Sequence, residues 1–298
     1  MGMTDSACPV CGGLRVQPCL TFQFWDRDWP VERCEGCGLC RLGHQWEEAE
    51  LERFYGEDRH GGAHPADAYG EIQAERSLYR ERFGRRLADL ERWVKPGRVL
   101  DVGSSVGHFL DTARARGWDP VGLELSVYSA GVARLAGHTV VAAPLERSGL
   151  TPNSFRSVTM WHVLEHLPHP VEALRAAWTL LEPGGTVGIE VPNFGARVAR
   201  TNPQRWGHLR PWHLWYFTES TLSRALEAAG FESLRSGVDG GTGMGSALRR
   251  RGPAGVRTAI WLGGLAARAR PLLTLMRSLT RWAGRGDENL VMWGRRPR

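Results

Sequence analysis

Val99-Leu100-Asp101-Val102-Gly103-Ser104-Ser105-Val106-Gly107 decides the fold. Val99 to Val102 suit a buried strand. They run into a turn of small side chains, and a helix is predicted from Val106 to Arg116. A strand that ends in such a turn and opens a helix gathers free backbone N–H groups where the chain can approach a ligand closely.

Outward from this turn the alternation repeats. Pro120 to Glu124 reads as a second strand and Val127 to Ala136 as its helix. Thr139 to Ala142, Ser157 to Trp161 and Thr186 to Val191 read as strands three to five, with a helix from Val171 to Leu181 closed by Pro183-Gly184-Gly185. Thr218 is the expected N-cap of a helix ending at Ala229, and Gly230 stops it. Phe231 to Val238 and Asn289 to Trp293 supply two more strands. Strands alternating with helices of this length predict an α/β fold: a doubly wound, mostly parallel, seven-stranded Rossmann-like sheet with helices on both faces.

The turn is followed, about twenty residues on, by an acid at the end of the second strand. That acid is Glu124, and a carboxylate there can accept both ribose hydroxyls of a nucleoside. With these residues in view, Arg98 to Val238 resembles the class I S-adenosylmethionine-dependent methyltransferases of small-molecule type. The family's D-x-G-x-G-x-G motif keeps Asp101, Gly103 and Gly107, with Ser105 in the place of the middle glycine. Trp161-His162-Val163-Leu164-Glu165-His166 is similar to the family's segment after strand four, and Leu181-Glu182-Pro183-Gly184-Gly185 to its turn before strand five. Phe155-Arg156 departs from the usual Phe-Asp, a position that is structural in the family. The resemblance implies that Gly103, Ser105 and Gly107 flank the methionine part of the cofactor. It further implies that Glu124 holds the ribose, Leu125 packs on the adenine, Leu145 and Glu146 border its edge, and His162 lines the sulfonium side.

Cys8-Pro9-Val10-Cys11 and Cys34-Glu35-Gly36-Cys37 form two C-x2-C knuckles separated by 22 residues. Four thiolates so spaced complete the closed tetrahedral shell of structural zinc, so Cys8, Cys11, Cys34 and Cys37 are the expected ligands. Such a shell has no open position and carries no catalytic role. Cys19 and Cys40 fall outside the pattern. The expected organisation is a zinc-binding module over 1–44, a helical linker or lid over 45–96, and the cofactor-binding domain over 97–298 with a helical insertion at 250–286. In the linker Ile72, Leu78, Tyr79, Phe83, Leu87 and Leu90 mark an amphipathic helix.

Hydrophobic residues at 42% and charged residues at 23% fit a folded globular chain. Met1 to Val10 carry only Asp5 as a charged side chain, which does not read as a secretory signal. No apolar run reaches the roughly 18 residues of a membrane span, so the expected compartment is cytoplasmic. The net charge of +6 is concentrated at one end, with twelve arginines and two acids between Arg249 and Arg298. That basic segment fits a solvated helical face, or peripheral contact with a membrane or lipid-linked substrate.

After strand five, Trp206 to Thr218 is dense in aromatics and histidine. It is similar to the H-L-x-x-F-T stretch that roofs the active site in small-molecule methyltransferases. His213 is the expected base or acceptor contact, with His208 and Tyr216 beside it. Imidazole matches the task of taking a hydroxyl's proton near neutral pH. The expected reaction is O-methylation of a sugar, glycolipid or secondary metabolite. Two other functions compete: an RNA methyltransferase that grips nucleic acid through the zinc module, and a non-catalytic binding scaffold. Against nucleic acid, Arg15, Arg27, Arg33 and Arg41 stand among Asp5, Asp26, Asp28, Glu32 and Glu35. Against a scaffold stand the retained turn and Glu124. The sequence leaves the oligomeric state open.

Overall fold

The computed structural model describes residues 7–24, 26–44, 46, 79–239 and 288–298. Most of the expected linker, the 250–286 insertion and most of the basic segment lie outside the described residues.

The expected sheet is present, in the order β10-β11-β8-β7-β4-β5-β6. Its strands are β4 (Arg98–Val102), β5 (Asp119–Leu123), β6 (Thr139–Val141), β7 (Phe155–Trp161), β8 (Leu181–Pro192), β10 (Glu232–Asp239) and β11 (Asn289–Arg295). The β6-β5-β4-β7-β8 pairings are parallel, whereas β11 runs antiparallel between β8 and β10. β8 starts earlier than the sequence suggests and takes in the Leu181-Glu182-Pro183-Gly184-Gly185 turn. Parallel strands are covered on both faces and therefore read as apolar runs. Leu100, Val121, Val158, Met160, Val187 and Ile189 are accordingly buried at the centre. The Trp293 ring packs so closely on Gly188 that a Cβ there would lie 2.3 Å from a ring carbon.

Two helices carry side-chain N-caps, at Ser126 and at the expected Thr218. In α3 (Val127–Leu135) the Ser126 side chain accepts from Ser129 N at 3.2 Å, and α6 (Glu219–Ala228) carries a Thr218–Thr221 capping box. α2 (His108–Ala115) follows the glycine turn, and α4 (Pro170–Leu180) leads into β8. Residues 79–90 form helix α1, which buries Phe83, Leu87 and Leu90. A short α5 (Arg197–Thr201) follows β8. Among the described residues no helix is long and apolar enough to cross a membrane.

A second sheet, four strands in the order β1-β2-β3-β9, was not evident from helical periodicity. β1 (Val16–Phe24) and β2 (Arg27–Cys34) form an antiparallel hairpin, with Phe22, Trp29 and Val31 buried on one face. β3 (Cys40–Leu42) pairs with β2 on one side and with β9 (Trp215–Tyr216) on the other. The N-terminal sheet thus takes its last strand from the segment that follows β8. Two further bonds secure the join, Leu42 N to Leu214 O at 2.9 Å and Trp46 Nε1 to Pro211 O at 2.7 Å.

Candidate functional site

In doubly wound sheets the ligand crevice lies at the carboxyl ends of the strands, where the strand order reverses. Here that point falls between β4 and β7. The turn after β4 is built from left-handed residues, with φ of 71° at Gly103, 49° at Ser105 and 90° at Gly107. Ser105 therefore takes up the backbone conformation that glycine adopts more cheaply. A Cβ on Gly103 would lie 2.5 Å from Val163 Cγ2, and one on Gly107 would lie 2.9 Å from His138 Cδ2. The first glycine thus lets the turn approach the segment after β7, and the last admits His138. Gly103 N and Ser104 N both donate to Leu123 O, at 2.7 and 3.1 Å, which ties the turn to the end of β5.

Glu124 completes this tie. Its Oε2 accepts from Ser105 N at 2.8 Å and its Oε1 from Ser126 N at 2.8 Å. Each carboxylate oxygen keeps a lone pair for another donor. Leu125 beside it is 49% exposed, an apolar surface at the rim of the crevice. Leu145 is buried and Glu146 exposed in the turn after β6. Asp101 lies beneath the turn and accepts from Thr159 Oγ1 at 2.8 Å. Burial holds its carboxyl well above the usual carboxylate range, and the nearby Glu124 charge adds to this against the Thr159 bond.

Next to the turn, four histidines converge. His162 follows β7 at φ 57° and sits between two carboxylates, 3.2 Å from Glu165 Oε1 and 3.2 Å from Glu190 Oε1. Burial disfavours its proton, but the two acids prevail and raise its pKa to about 9. Burial also works against the charge on Glu190, yet His162, Arg82 and Arg86 hold its carboxyl well below the ordinary range. Arg82 Nη2 and Arg86 Nε reach its two oxygens at 2.7 and 2.9 Å. Glu165 is likewise buried, but His166 and His162 lower it to about 2.

The His208 ring stacks on His162 at 6.2 Å between centroids, and burial plus the His162 charge lowers its pKa to about 4. His213 is 7% exposed, with Nδ1 2.7 Å from His208 O. Burial first and His166 second keep it well below the usual imidazole range. His213 and His166 meet edge to face at 4.8 Å. Tyr216 meets the His213 ring edge to face at 6.5 Å. It is buried against Phe194 and Trp206, and its hydroxyl donates to Arg210 O at 3.2 Å.

Glu190, Arg82 and Arg86 escaped the sequence reading. The available signal was an acid inside the apolar run Ile189-Glu190-Val191, together with arginines at i and i+4 on helix α1. Arg156, which departs from the family's acid, has its own partner in Glu182 Oε1 at 2.8 Å.

The two knuckles face each other. Cys8 Sγ lies 3.5 Å from Cys37 Sγ, Cys11 Sγ lies 3.5 Å from Cys34 Sγ, and all four sulfurs fall within 4.8 Å of one another. A tetrahedron with zinc–sulfur bonds of about 2.3 Å has edges of about 3.8 Å. The loops repeat one hydrogen-bond pattern: Gly12 N donates to Cys8 O at 2.8 Å and Gly38 N to Cys34 O at 2.9 Å. A Cβ on Gly36 would lie 3.1 Å from Cys11 Sγ. Burial pushes the Cys8 and Cys37 thiols up, whereas at Cys34 hydrogen bonds from the Cys37 backbone and the Cys11 thiol outweigh burial and bring it down to about 7. The sulfur cage fits a tetrahedral metal.

A seven-stranded sheet with one antiparallel strand, a glycine-type turn after the central strand and an acid after the next define a Rossmann-like α/β fold of the methyltransferase type. A family model for a methyltransferase domain matches residues 73–236, more than half of the 298-residue chain, and the chain belongs to that family of S-adenosylmethionine-dependent enzymes. A ubiquinone biosynthesis O-methyltransferase of Aeromonas salmonicida is 34% identical over 151 residues, which is 45% of this chain and 62% of that protein. The match therefore spans less than two thirds of that relative's length. Among solved structures, an S-adenosylmethionine-dependent methyltransferase of Archaeoglobus fulgidus superposes with a TM-score of 0.52 at 19% identity, over 74% of this chain and 94% of that one. Haemonchus contortus phosphoethanolamine N-methyltransferase 2, in complex with S-adenosyl-L-methionine, superposes with a TM-score of 0.50 at 18% identity, over 80% and 61%. At these identities the structures speak for the fold.

Proposed function

We propose that the chain transfers a methyl group from S-adenosylmethionine to a hydroxyl of a small molecule such as a sugar, a glycolipid or another secondary metabolite. The observation that carries this reading is the double tie of Glu124 to Ser105 N and Ser126 N. It fixes a carboxylate at the crevice with lone pairs to spare for two vicinal ribose hydroxyls. Gly103, Ser105 and Gly107 then frame the methionine part above the buried Asp101, Leu125 covers the adenine, Leu145 and Glu146 border it, and His162 faces the sulfonium side. The cofactor supplies an electrophilic methyl group on a cationic sulfur.

The acceptor side is the roof formed by His208 and His213. Their neutral imidazoles can accept a hydrogen bond from a hydroxyl. Tyr216, whose hydroxyl is engaged with Arg210 O, positions this roof from below. The curated relative named as an O-methyltransferase supports oxygen as the acceptor atom. Cys8, Cys11, Cys34 and Cys37 hold one structural zinc, which fixes the sheet on which the roof is mounted. Isothermal titration of S-adenosylhomocysteine tests the cofactor half. Saturable binding that Glu124→Ala weakens is expected, and no binding by the intact chain overturns the reading. Release of S-adenosylhomocysteine with hydroxylated acceptors, and not with amines, tests the other half.

A further inference from the structure

The acceptor roof and the residues next to it include a second group with metal-ligand chemistry. Glu165, His166 and His213 each present one ligand atom, and the three atoms lie within 4.8 Å of one another. Glu165 is fully buried; its Oε1 lies 3.2 Å from His162 Nδ1 and 3.8 Å from His166 Nε2, and its Oε2 has no hydrogen-bond partner among the described residues. A buried, unpartnered carboxylate oxygen costs several kcal/mol unless a cation or donor reaches it.

The imidazoles are oriented as ligands. Nδ1 of His213 lies 2.7 Å from His208 O, and Nδ1 of His166 lies 2.9 Å from Trp212 O. A carbonyl oxygen only accepts, so each Nδ1 carries the proton and each Nε2 keeps its lone pair. This is the outer-shell arrangement by which proteins fix the tautomer of metal-bound histidine. The backbone holds the pieces in register: Leu214 N donates to Glu165 O at 2.8 Å, and Trp215 Nε1 donates to Leu167 O at 2.9 Å.

We propose that the Glu165 carboxylate, His166 Nε2 and His213 Nε2 bind one divalent first-row transition cation, with positions left open to the acceptor's hydroxyl oxygen. Two imidazoles and one carboxylate are the ligand set of open catalytic sites, unlike the closed four-thiolate cage. This assignment rests on the methyltransferase reading for its chemistry. The acceptor hydroxyl binds the cation and loses its proton to solvent water. The resulting metal-held oxyanion attacks the methyl carbon. The new O–C bond forms as the S–C bond breaks, and the sulfur keeps that electron pair to give neutral S-adenosylhomocysteine. The cation takes the part that a general base would otherwise play, and His213 contributes as a ligand.

Cobalt(II) titrated into the zinc-replete full chain tests this. The expected result is one further equivalent bound, with visible d–d bands and no thiolate-to-cobalt charge transfer. Glu165→Gln and His213→Gln should each weaken that binding at least tenfold, while the exposed His169→Ala leaves it unchanged. S-adenosylhomocysteine binding, titrated on the same samples, confirms that the variants are folded. Absence of a second equivalent, or equal affinity in Glu165→Gln and the unaltered chain, overturns the metal site. If cofactor binding persists in that case, the methyltransferase reading stands alone; if cofactor binding is absent from the unaltered chain, it is that reading which fails.

Discussion

Cys40 is paired with Tyr216 across the β3–β9 ladder. Cys40 lies three residues beyond the knuckle cysteine Cys37, and Tyr216 three residues beyond His213. The sulfur cage and the histidine roof are therefore held in register by two neighbouring strands. A metal held by the cysteines would act on the roof through this ladder, since a closed tetrahedral shell offers nothing to a substrate.

Cys34→Ser should lower bound zinc below half an equivalent, read by elemental analysis of freshly purified protein. Structural zinc sites contribute folding free energy directly, so soluble yield should fall too. The crevice at β4 and β5 is built from other elements, and S-adenosylhomocysteine affinity of the folded fraction should stay within about twofold, below 0.5 kcal/mol. A large loss of cofactor affinity would mean that the two sheets are coupled beyond the ladder.

Glu124→Ala should weaken S-adenosylmethionine binding by about 1.5–3 kcal/mol, the range for hydrogen bonds to a charged group. The same change frees Ser105 N and Ser126 N. Glu124→Gln, which keeps an acceptor oxygen but no charge, should lose less. Titration calorimetry reads both variants, and equal affinity for Glu124→Ala and the unaltered chain removes the ribose assignment.

Ser105→Gly should stabilise the protein. A left-handed backbone costs a residue with a Cβ about 1–2 kcal/mol, while glycine gives back roughly 0.5–1 kcal/mol through its freer unfolded chain. The expected net gain is about 0–1.5 kcal/mol in urea unfolding, centred on about 0.7, by the difference of these two effects. Gly103→Ala goes the other way, because its Cβ meets Val163 Cγ2 at 2.5 Å. Adding Val163→Ala should recover part of the loss, which a clash with the cofactor alone would not allow.

The seven-stranded sheet was legible because buried parallel strands leave short, mostly apolar runs such as Val158-Thr159-Met160-Trp161 between turn residues. The nucleotide turn was legible through Asp101, Gly103, Gly107 and the delayed Glu124. β9 was not, because Trp215-Tyr216 is too short to show alternation and its partner Cys40 lies far away in the chain. The hairpin was within reach: Leu20, Phe22 and Phe24 alternate, as do Trp29 and Val31. The histidine group was half legible. His162, His208 and His213 stood out as types, whereas the partners of each ring nitrogen depend on the fold.

Buried charges link α1 to the site. Glu190 lies inside β8, fully buried, and meets Arg82, Arg86 and His162. Removing one partner of a buried ion pair leaves the others uncompensated, which costs about 3–5 kcal/mol. Glu190→Gln should lose stability on that scale in urea unfolding, more than Glu91→Gln, whose partner Arg116 is on the surface. The pH dependence has two arms. The His162 proton is held more tightly in the folded chain, at about 9 against an ordinary 6.5. Its contribution is therefore complete below pH 6.5 and is lost as pH rises through 9. The Glu190 proton is held less tightly in the folded chain than its ordinary 4.5. Its contribution is complete above that value and is lost as acid carries the pH below it. The stability advantage over Glu190→Gln should thus be largest between about 4.5 and 6.5, the two ordinary values, and should decline toward both ends. Unfolding free energies measured from pH 4 to 9.5 check this, and a flat difference would show that the network stabilises by packing rather than by charge.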